Sequence, residues 1–331
     1  MKPVIGFVYD LRKDYLCEGF SEEDVAEFDS EETIDFLRQA IEKLGYSVEC
    51  IGNAKMLSRR LVAGDRWEMV FNIAESFGGR CRESYVPAML ELYGIPYTFS
   101  DALVCALTLD KGLAKQIVRQ HSLATPNYAV VENAGDIEMV KLNYPLFAKP
   151  LAEGTGKGID QNSRIESPAQ LKKICIELLE KYHQPVLVEE FLPGREFTVG
   201  VLGNGDKAWV LGTMEIEVLK KDEHAIYSFL NKEQCESRIR YSRLSENELK
   251  QKVETLSLRC YQALQCRDAA RVDIRLDSKG QPNFIEVNPL AGLHPYHSDL
   301  PMIATWEKMP YETLIKNILD NAFSRVNGKK K

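Results

Sequence analysis

The sequence has no apolar run of membrane-spanning length, no Cys-x-x-Cys pair, no excess of positive charge, no internal repeat and no low-complexity segment. Without about 20 consecutive apolar residues there is no candidate transmembrane helix. The stretch from Met1 to Asp10 has too short an apolar segment for a signal peptide and reads as a first strand, so a cytoplasmic protein is expected. The eight cysteines (Cys17, Cys50, Cys81, Cys105, Cys175, Cys235, Cys260 and Cys266) are scattered. That spacing argues against a zinc or disulfide framework and implies free thiols in a reducing compartment. Lys and Arg number 42 against 49 Asp and Glu, a formal net charge of -7, so neither nucleic acid nor an anionic membrane is an expected partner. The basic end, Lys329 to Lys331, reads as a solvated tail. Two nucleotide signatures are also missing, the Walker A loop and the Gly-x-Gly-x-x-Gly turn.

What is present can fill more than one core: 331 residues, 44% hydrophobic and 27% charged, predict two or three domains. Residues 4–9 read as a strand, and the acidic, irregular stretch that follows reads as a surface loop. Asp29 with Glu32 fits a capping box, after which Ile34, Leu37, Ile41 and Leu44 recur at helical spacing as far as Gly45. A strand at 46–51, a helix at 55–62 and a strand at 67–73 predict an open, mostly parallel sheet covered on both faces. Ligands bind at the carboxyl ends of such strands. The loop Glu75 to Ser84 lies there, and its Arg80 and Arg82 are candidates to hold a substrate carboxylate.

Residues 99–121 read as helical and include Asp110-Lys111. An apolar strand ends at Lys149-Pro150 and runs into Glu153-Gly-Thr-Gly-Lys-Gly158. Glycines after a strand let backbone N–H groups approach phosphate oxygens, although the same turn also suits a bare hairpin tip. A helix from Ser167 to Tyr182 precedes the strand-like run Pro185 to Leu192. Residues 195–202 then pair through Asn204-Gly205 with residues 207–214 in an antiparallel sheet. A helix at 246–264 and a final helix from Tyr311 to about Phe323 complete the chain.

Between those helices lies Arg271-Val-Asp-Ile-Arg-Leu-Asp-Ser-Lys-Gly-Gln-Pro-Asn-Phe-Ile-Glu-Val-Asn288, two alternating runs joined by a polar turn. A four-residue loop, Ser278 to Gln281, would set Asp277 against Pro282, Asp273 against Glu286 and Arg271 against Asn288. Val272, Ile274, Leu276, Ile285 and Val287 would then share the buried face. Two carboxylates directly opposite each other destabilise a sheet unless a cation sits between them. With Asn288 beside them these are hard oxygen donors suited to Mg²⁺. The alternative is a solvated polar face neutralised by Arg271 or Arg275.

Taken in order, Leu109-Asp-Lys111, Lys149 before the Gly-rich turn, Val188-Glu-Glu-Phe-Leu192, Glu196-Phe-Thr-Val199, Arg271-Val-Asp273 and Glu286-Val-Asn288 resemble the ATP-grasp superfamily. The likeness is strongest to the D-alanine–D-alanine ligases, and runs from about Met69 to the carboxyl terminus. It implies an α/β protein, α+β in its ATP-binding part. An open, mostly parallel domain (1–98) would be followed by two α+β subdomains (99–183 and 184–331) that hold ATP between them. The resemblance further implies that Lys111, Lys149 and Lys232 bind phosphates, that Thr155 and Gly156 belong to a lid, and that Glu189, Glu190, Phe191 and Leu192 line the adenine pocket. It makes Glu196 the ribose acceptor, Asp273, Glu286 and Asn288 ligands of Mg²⁺ (with Mn²⁺ as substitute), and Arg271 with the Gly292 N–H the stabilisers of an oxyanion. Small amino-acid or carboxylate substrates, and a homodimer as in many relatives, follow from the same likeness.

The substrate loops depart from it. Tyr9 to Asp14 and the acidic stretch replace the Gly-rich first loop, residues 72–80 replace the next substrate loop, Glu233 stands where a latch tyrosine is expected, and His297 or Ser298 takes the place of a carboxylate-binding serine. The expected activity is therefore an ATP-dependent carboxylate–amine ligase that forms an amide through an acyl phosphate. No covalent enzyme intermediate is needed. D-alanine–D-alanine synthesis, phosphoryl transfer without ligation and non-catalytic ATP binding stand as alternatives.

Overall fold

In the computed structural model, residues 2–219 and 239–328 are described. Lys232 and Glu233 lie outside them. Three sheets organise the chain. The first is parallel, with order β2-β1-β3: β1 (Val4–Val8) lies between β2 (Ser47–Gly52) and β3 (Met69–Asn72). β1 and β3 are nearly continuous apolar runs, as a sheet covered on both faces requires, whereas β2 at the edge carries Ser47 and Glu49 and is buried only at its end. One face packs on α2 (Glu31–Lys43) and on the last two helices, α9 (Asp299–Trp306) and α10 (Tyr311–Gly328), through Phe7, Leu37, Ile41, Phe71, Leu300, Leu314 and Ile318. The carboxyl terminus thus completes the amino-terminal core. The other face covers α3 (Ala54–Val62) and α4 (Tyr85–Leu92).

The acidic stretch after β1 is not a solvated loop. It forms α1 (Arg12–Cys17), returns to pair Leu11 with Asp29, and buries Val25 and Phe28. Asp29 is spent on that return, its N–H donating to the Asp10 carbonyl, so Ser30 caps α2 in its place and accepts from Thr33 N.

The expected helix across 99–121 is broken at Asp110. α5 (Ala102–Leu109) ends there, and the Asp110 carboxylate caps α6 (Lys111–Gln120) by accepting from Leu113 N. The four-stranded sheet, order β4-β7-β5-β6, is antiparallel: β4 (Tyr128–Val131), β5 (Leu146–Pro150), β6 (Arg164–Ile165) and β7 (Val186–Glu190), backed by α7 (Pro168–Tyr182). Because β7 belongs here, the change of sheet falls between Glu190 and Glu196, past the division expected at residue 183.

The five-stranded sheet is antiparallel, with order β10-β9-β8-β11-β12. Its strands are β8 (Glu196–Leu202), β9 (Trp209–Val218), β10 (Ile239–Arg243), β11 (Ala269–Leu276) and β12 (Pro282–Asn288), with α8 (Asn247–Ala263) behind. The β11–β12 hairpin sets Asp273 opposite Glu286 and Arg271 opposite Asn288, but by a different route from the one expected. The turn is one residue shorter: Asp277 N donates to the Gln281 carbonyl, and Gly280 takes φ 73°. A bulge between Asp273 and Ile274 restores the register. Phe284 therefore enters the core where Ile285 was expected, and Ile285 turns to the cleft. The bulge also frees Phe284 N to donate to the Ala124 carbonyl, tying the hairpin to the end of α6.

Candidate active site

Two hollows meet over this hairpin. A cavity of 770 Å³ is lined by the acidic stretch, the end of α5, the Gly-rich turn and the Asn288–Leu300 loop. A narrower cleft of 90 Å³ runs between the two antiparallel sheets past Lys149, Glu189 to Leu192, Glu196, Thr198 and Asp273. Arg271, Glu286 and Asp299 line both, so any group passed from cleft to cavity crosses these three residues.

Residues two apart on a strand share a face, and this places Arg271 and Asp273 beside each other with Glu286 and Asn288 across the ladder. Asp273 accepts from Thr198 Oγ1 at 2.8 Å, from Arg271 Nη2 at 3.2 Å and from Asn288 Nδ2 at 3.3 Å. Arg271 also donates Nη1 to Asp299 at 2.9 Å. Lys149 at the end of β5 reaches Glu286 at 3.3 Å, and Lys111 at the start of α6 lies 3.8 Å from the same carboxylate while donating to the Glu153 carbonyl at 2.5 Å. The cross-strand repulsion is thus offset by cations already present, and the sheet does not depend on a metal to hold Asp273 against Glu286. What remains is a compact array of oxygen donors ringed by lysines, with Thr155 Oγ1 buried above it and given no hydrogen bond among the described residues.

Most of the cleft residues between Glu189 and Glu196 are already engaged within the chain. Glu190 N donates to the Asn127 carbonyl and Phe191 N to the Pro145 carbonyl, so these amides are already used. Glu190 accepts from Asn127 and Asn143. Phe191 lies between Arg164 and Arg275, which stack on its ring at 4.8 and 5.2 Å. Glu196 accepts from Arg275 at 3.2 Å. Glu189 is buried and ion-paired with Lys115 at 2.8 Å and Lys149 at 3.7 Å. Burial works to raise its pKa, but those two lysines outweigh it and hold it below the usual carboxylate value. Burial likewise opposes the charge of Lys149, and Glu286 with Glu189 reverses that and keeps its pKa raised.

Lys115 was missed in the sequence. It is 0% exposed, and its Nζ also donates to Thr125 Oγ1 and the Phe284 carbonyl. The available signal was its position four residues after Lys111, on the face that the α6 apolar stripe buries. Thr198 and Asp299 were missed as well; Thr198 stands two residues after Glu196 and so shares its face of β8.

On the substrate side, Arg80 donates to Asp110 and Arg82 donates to the Ala152 carbonyl at 2.7 Å and to Glu27 at 2.9 Å. Neither lines the cavity. Arg82 instead fastens the acidic stretch to the Gly-rich turn, where a Cβ on Gly154 would run into Glu27 Oε1. His297 and Ser298 do line it. Ser298 Oγ accepts from His294 N at 3.0 Å and lies 2.9 Å from where a Cβ on Gly292 would stand, so only glycine fits without displacing that bond. His294 packs edge-on to Phe36, and its pKa is lowered by burial despite Glu32 nearby. Glu27, Asp29, Glu75 and Glu83 form the opposite wall. Burial pushes Glu83 and Asp29 up to about 7, and Glu75 well above its usual value with Glu83 and Glu27 adding repulsion.

The order of sheets and the placing of the two hollows define an ATP-grasp protein. The whole fold superposes on the D-alanine–D-alanine ligase of Bacillus anthracis complexed with ATP, with a TM-score of 0.75 at 24% identity and 100% of each chain covered. The VanG D-Ala:D-Ser ligase of Enterococcus faecalis gives 0.74 at 19% identity, covering 97% of this chain and 100% of that one. Residues 117–320 match the family model described as the D-ala D-ala ligase C-terminus. The chain is 31% identical over 282 residues to the D-alanine–D-alanine ligase of Aquifex aeolicus (85% of this chain, 91% of that protein) and 35% identical over 266 residues to the uncharacterized protein y4sG of Sinorhizobium fredii (78% and 76%). The chain belongs to the D-alanine–D-alanine ligase family, and it is a ligase that joins a carboxylate to an amine.

Proposed function

We propose that the protein uses ATP to activate the carboxylate of one small substrate as an acyl phosphate and then joins it to the amine of a second, releasing ADP and phosphate. The observation that carries this reading is the shared floor of Arg271, Glu286 and Asp299: a phosphoryl donor in the cleft and a carboxylate in the cavity would face each other there. The carboxylate oxygen attacks the terminal phosphorus and ADP leaves. The amine, having lost a proton, attacks the acyl carbon; phosphate leaves and an amide remains.

The chain's own groups fit each demand. Lys149 and Lys111 offset charge on the transferring phosphoryl group, with Lys232 a further candidate. Thr155 Oγ1 and the Gly156 turn close over it. Glu196 accepts from the ribose, and the Leu192 amide is left to read the base. Arg271, held between two aspartates, and the Gly292 N–H stabilise the oxyanion, the kind of fixed donor that gives a large share of acyl-transfer catalysis. Asp273, Glu286 and Asn288 offer the hard oxygens that suit Mg²⁺, which bound there would polarise the phosphoryl oxygens. A cytoplasmic location, where ATP is available, fits the same reading.

Which substrates are joined is set by the cavity. D-Alanine for both is the narrower possibility that the relatives' names carry. ADP release measured over pairs of L- and D-amino acids and small carboxylic acids, with mass spectrometry of products, tests the proposal. An amide formed only when two substrates are supplied is the expected result. A stable phosphorylated product would replace ligation by phosphoryl transfer, AMP with pyrophosphate would refute the acyl phosphate, and no turnover with nucleotide still bound would leave a binding module.

A further inference from the structure

Resting on that ligase reading, we infer that the wall formed by Asp29, Glu75 and Glu83 is a subsite for a second positive charge, so that one of the joined substrates is a basic amino acid with a terminal ammonium or guanidinium. The four acids of this wall differ in what they already hold. Glu27 is paired with Arg82 at 2.9 Å and with Lys157 at 3.9 Å. Glu83 is only 8% exposed, lines the cavity, and has neither hydrogen bond nor ion pair among the described residues. The side chains of Glu75 and Asp29 line the same wall and are likewise given no hydrogen bond or ion pair there. Burial, Glu83 and Glu27 act against the charge of Glu75, and burial with Glu27 acts against that of Glu83; the Arg82 guanidinium offsets this only in part for both.

Such an arrangement has no use in folding. A buried carboxylate without a partner costs stability, and carboxylates that repel one another cost more. The neighbouring Arg82 is drawn instead to Glu27 and the Ala152 carbonyl. The cost is recovered when a cation enters. An α-ammonium can engage one of these carboxylates, which leaves others for a further charge. A guanidinium or a terminal ammonium carries several N–H donors and can bridge two oxygens at once. An uncharged alanine methyl would leave Glu83 buried and unpaired.

The test uses the full-length protein with Mg²⁺ and ATP, offering ornithine, lysine and arginine of both hands against their uncharged counterparts norvaline, norleucine and citrulline. Amide formation is followed by ADP release and mass spectrometry. A charge-assisted hydrogen bond is worth roughly 10- to 100-fold, so kcat/KM for a basic amino acid is expected to exceed that of its uncharged counterpart by at least about 10-fold. Glu83→Gln is expected to reduce that ratio by a similar factor, and Glu75→Gln serves the same comparison should the first variant fail to fold. Uncharged counterparts joined as well as the basic ones would overturn the inference and leave the ligase reading standing. If no pair is joined, the ligase reading fails and the subsite is judged by thermal shift with the amino acids alone: equal shifts from arginine and citrulline, and from ornithine and norvaline, overturn it, and a larger shift from the basic member that Glu83→Gln abolishes upholds it.

Discussion

Replacing Lys115 by Met tests whether the ion pairs beneath the cleft hold Lys149 in place. Lys115 is 0% exposed and lies 2.8 Å from Glu189, whose side chain is 6% exposed. Methionine matches its length but removes the charge. The Phe284 carbonyl keeps a donor, since Thr125 Oγ1 also donates to it at 2.8 Å, so the loss falls on Glu189. Among the described residues that carboxylate would retain Lys149 alone as ion-pair partner, at 3.7 Å. Breaking a buried pair from one side costs about 3–5 kcal/mol, because the remaining charge is left in a poor dielectric. Lys149, left to balance Glu189, is drawn away from Glu286, so KM for ATP should rise as well. Equilibrium urea unfolding measures the first effect and steady-state ADP release the second. The double variant Lys115→Met with Glu189→Gln removes the orphaned charge, and should be more stable than Lys115→Met alone. Additive losses in the double variant would refute the reasoning, since they would mean that Lys115 stabilises by packing and not through Glu189.

Three further outcomes follow from the same geometry. Glu286→Gln should reduce Mg²⁺-dependent ADP release by roughly two orders of magnitude, the scale of losing one group that stabilises developing charge, while the protein stays folded by circular dichroism. Unchanged turnover would exclude Glu286 from the metal and phosphate site. Arg271→Lys should lower kcat far more than it changes KM, because a single ammonium cannot reproduce the planar fork between Asp273 and Asp299. The pH dependence carries a definite sign. Glu83 is raised from 4.5 to about 7 by burial, so the folded state holds the proton more tightly and stability falls as pH rises from about 4.5 through 7. Glu83→Gln, which cannot ionise, should flatten that fall and stabilise the protein at pH 8 by up to about 3 kcal/mol, measured by urea unfolding at pH 5 and pH 8.

The two halves of the site differ in how far the sequence discloses them, and the difference is one of distance along the chain. On the cleft side the chemistry rides on the two-residue period of β-strands: Arg271 with Asp273 and Glu286 with Asn288 are neighbours by pattern, and a hairpin turn brings the pairs together. Even there the agreement hides an exchange. The turn is one residue short and a bulge makes up the difference, because Phe284 is drawn toward Ala124 and Lys115, a contact between segments too distant for local pattern to show. Lys115 was legible only as a lysine on the buried face of α6, four residues after Lys111, since its helical position gives no sign that its pair lies on β7. On the cavity side nearly every determining contact is of this long-range kind. Glu23 meets Lys181 at 3.0 Å, Glu27 meets Arg82 at 2.9 Å, and Lys157 donates to the Asp24 carbonyl at 3.1 Å. Composition alone marks residues 10–29 as solvated, because their counter-charges come from three separate later segments. Once those charges are counted, the stretch ceases to be an insertion and becomes a wall. The same ion pairs that seat Glu27 against the Gly-rich turn leave the side chains of Asp29, Glu75 and Glu83 with no ion pair among the described residues, the charges of Arg12, Arg82 and Lys111 reaching them only from a distance. Fastening of the Gly-rich turn and the inferred charge selection in the cavity therefore rest on one division of partners, and a change at Arg82 would disturb both.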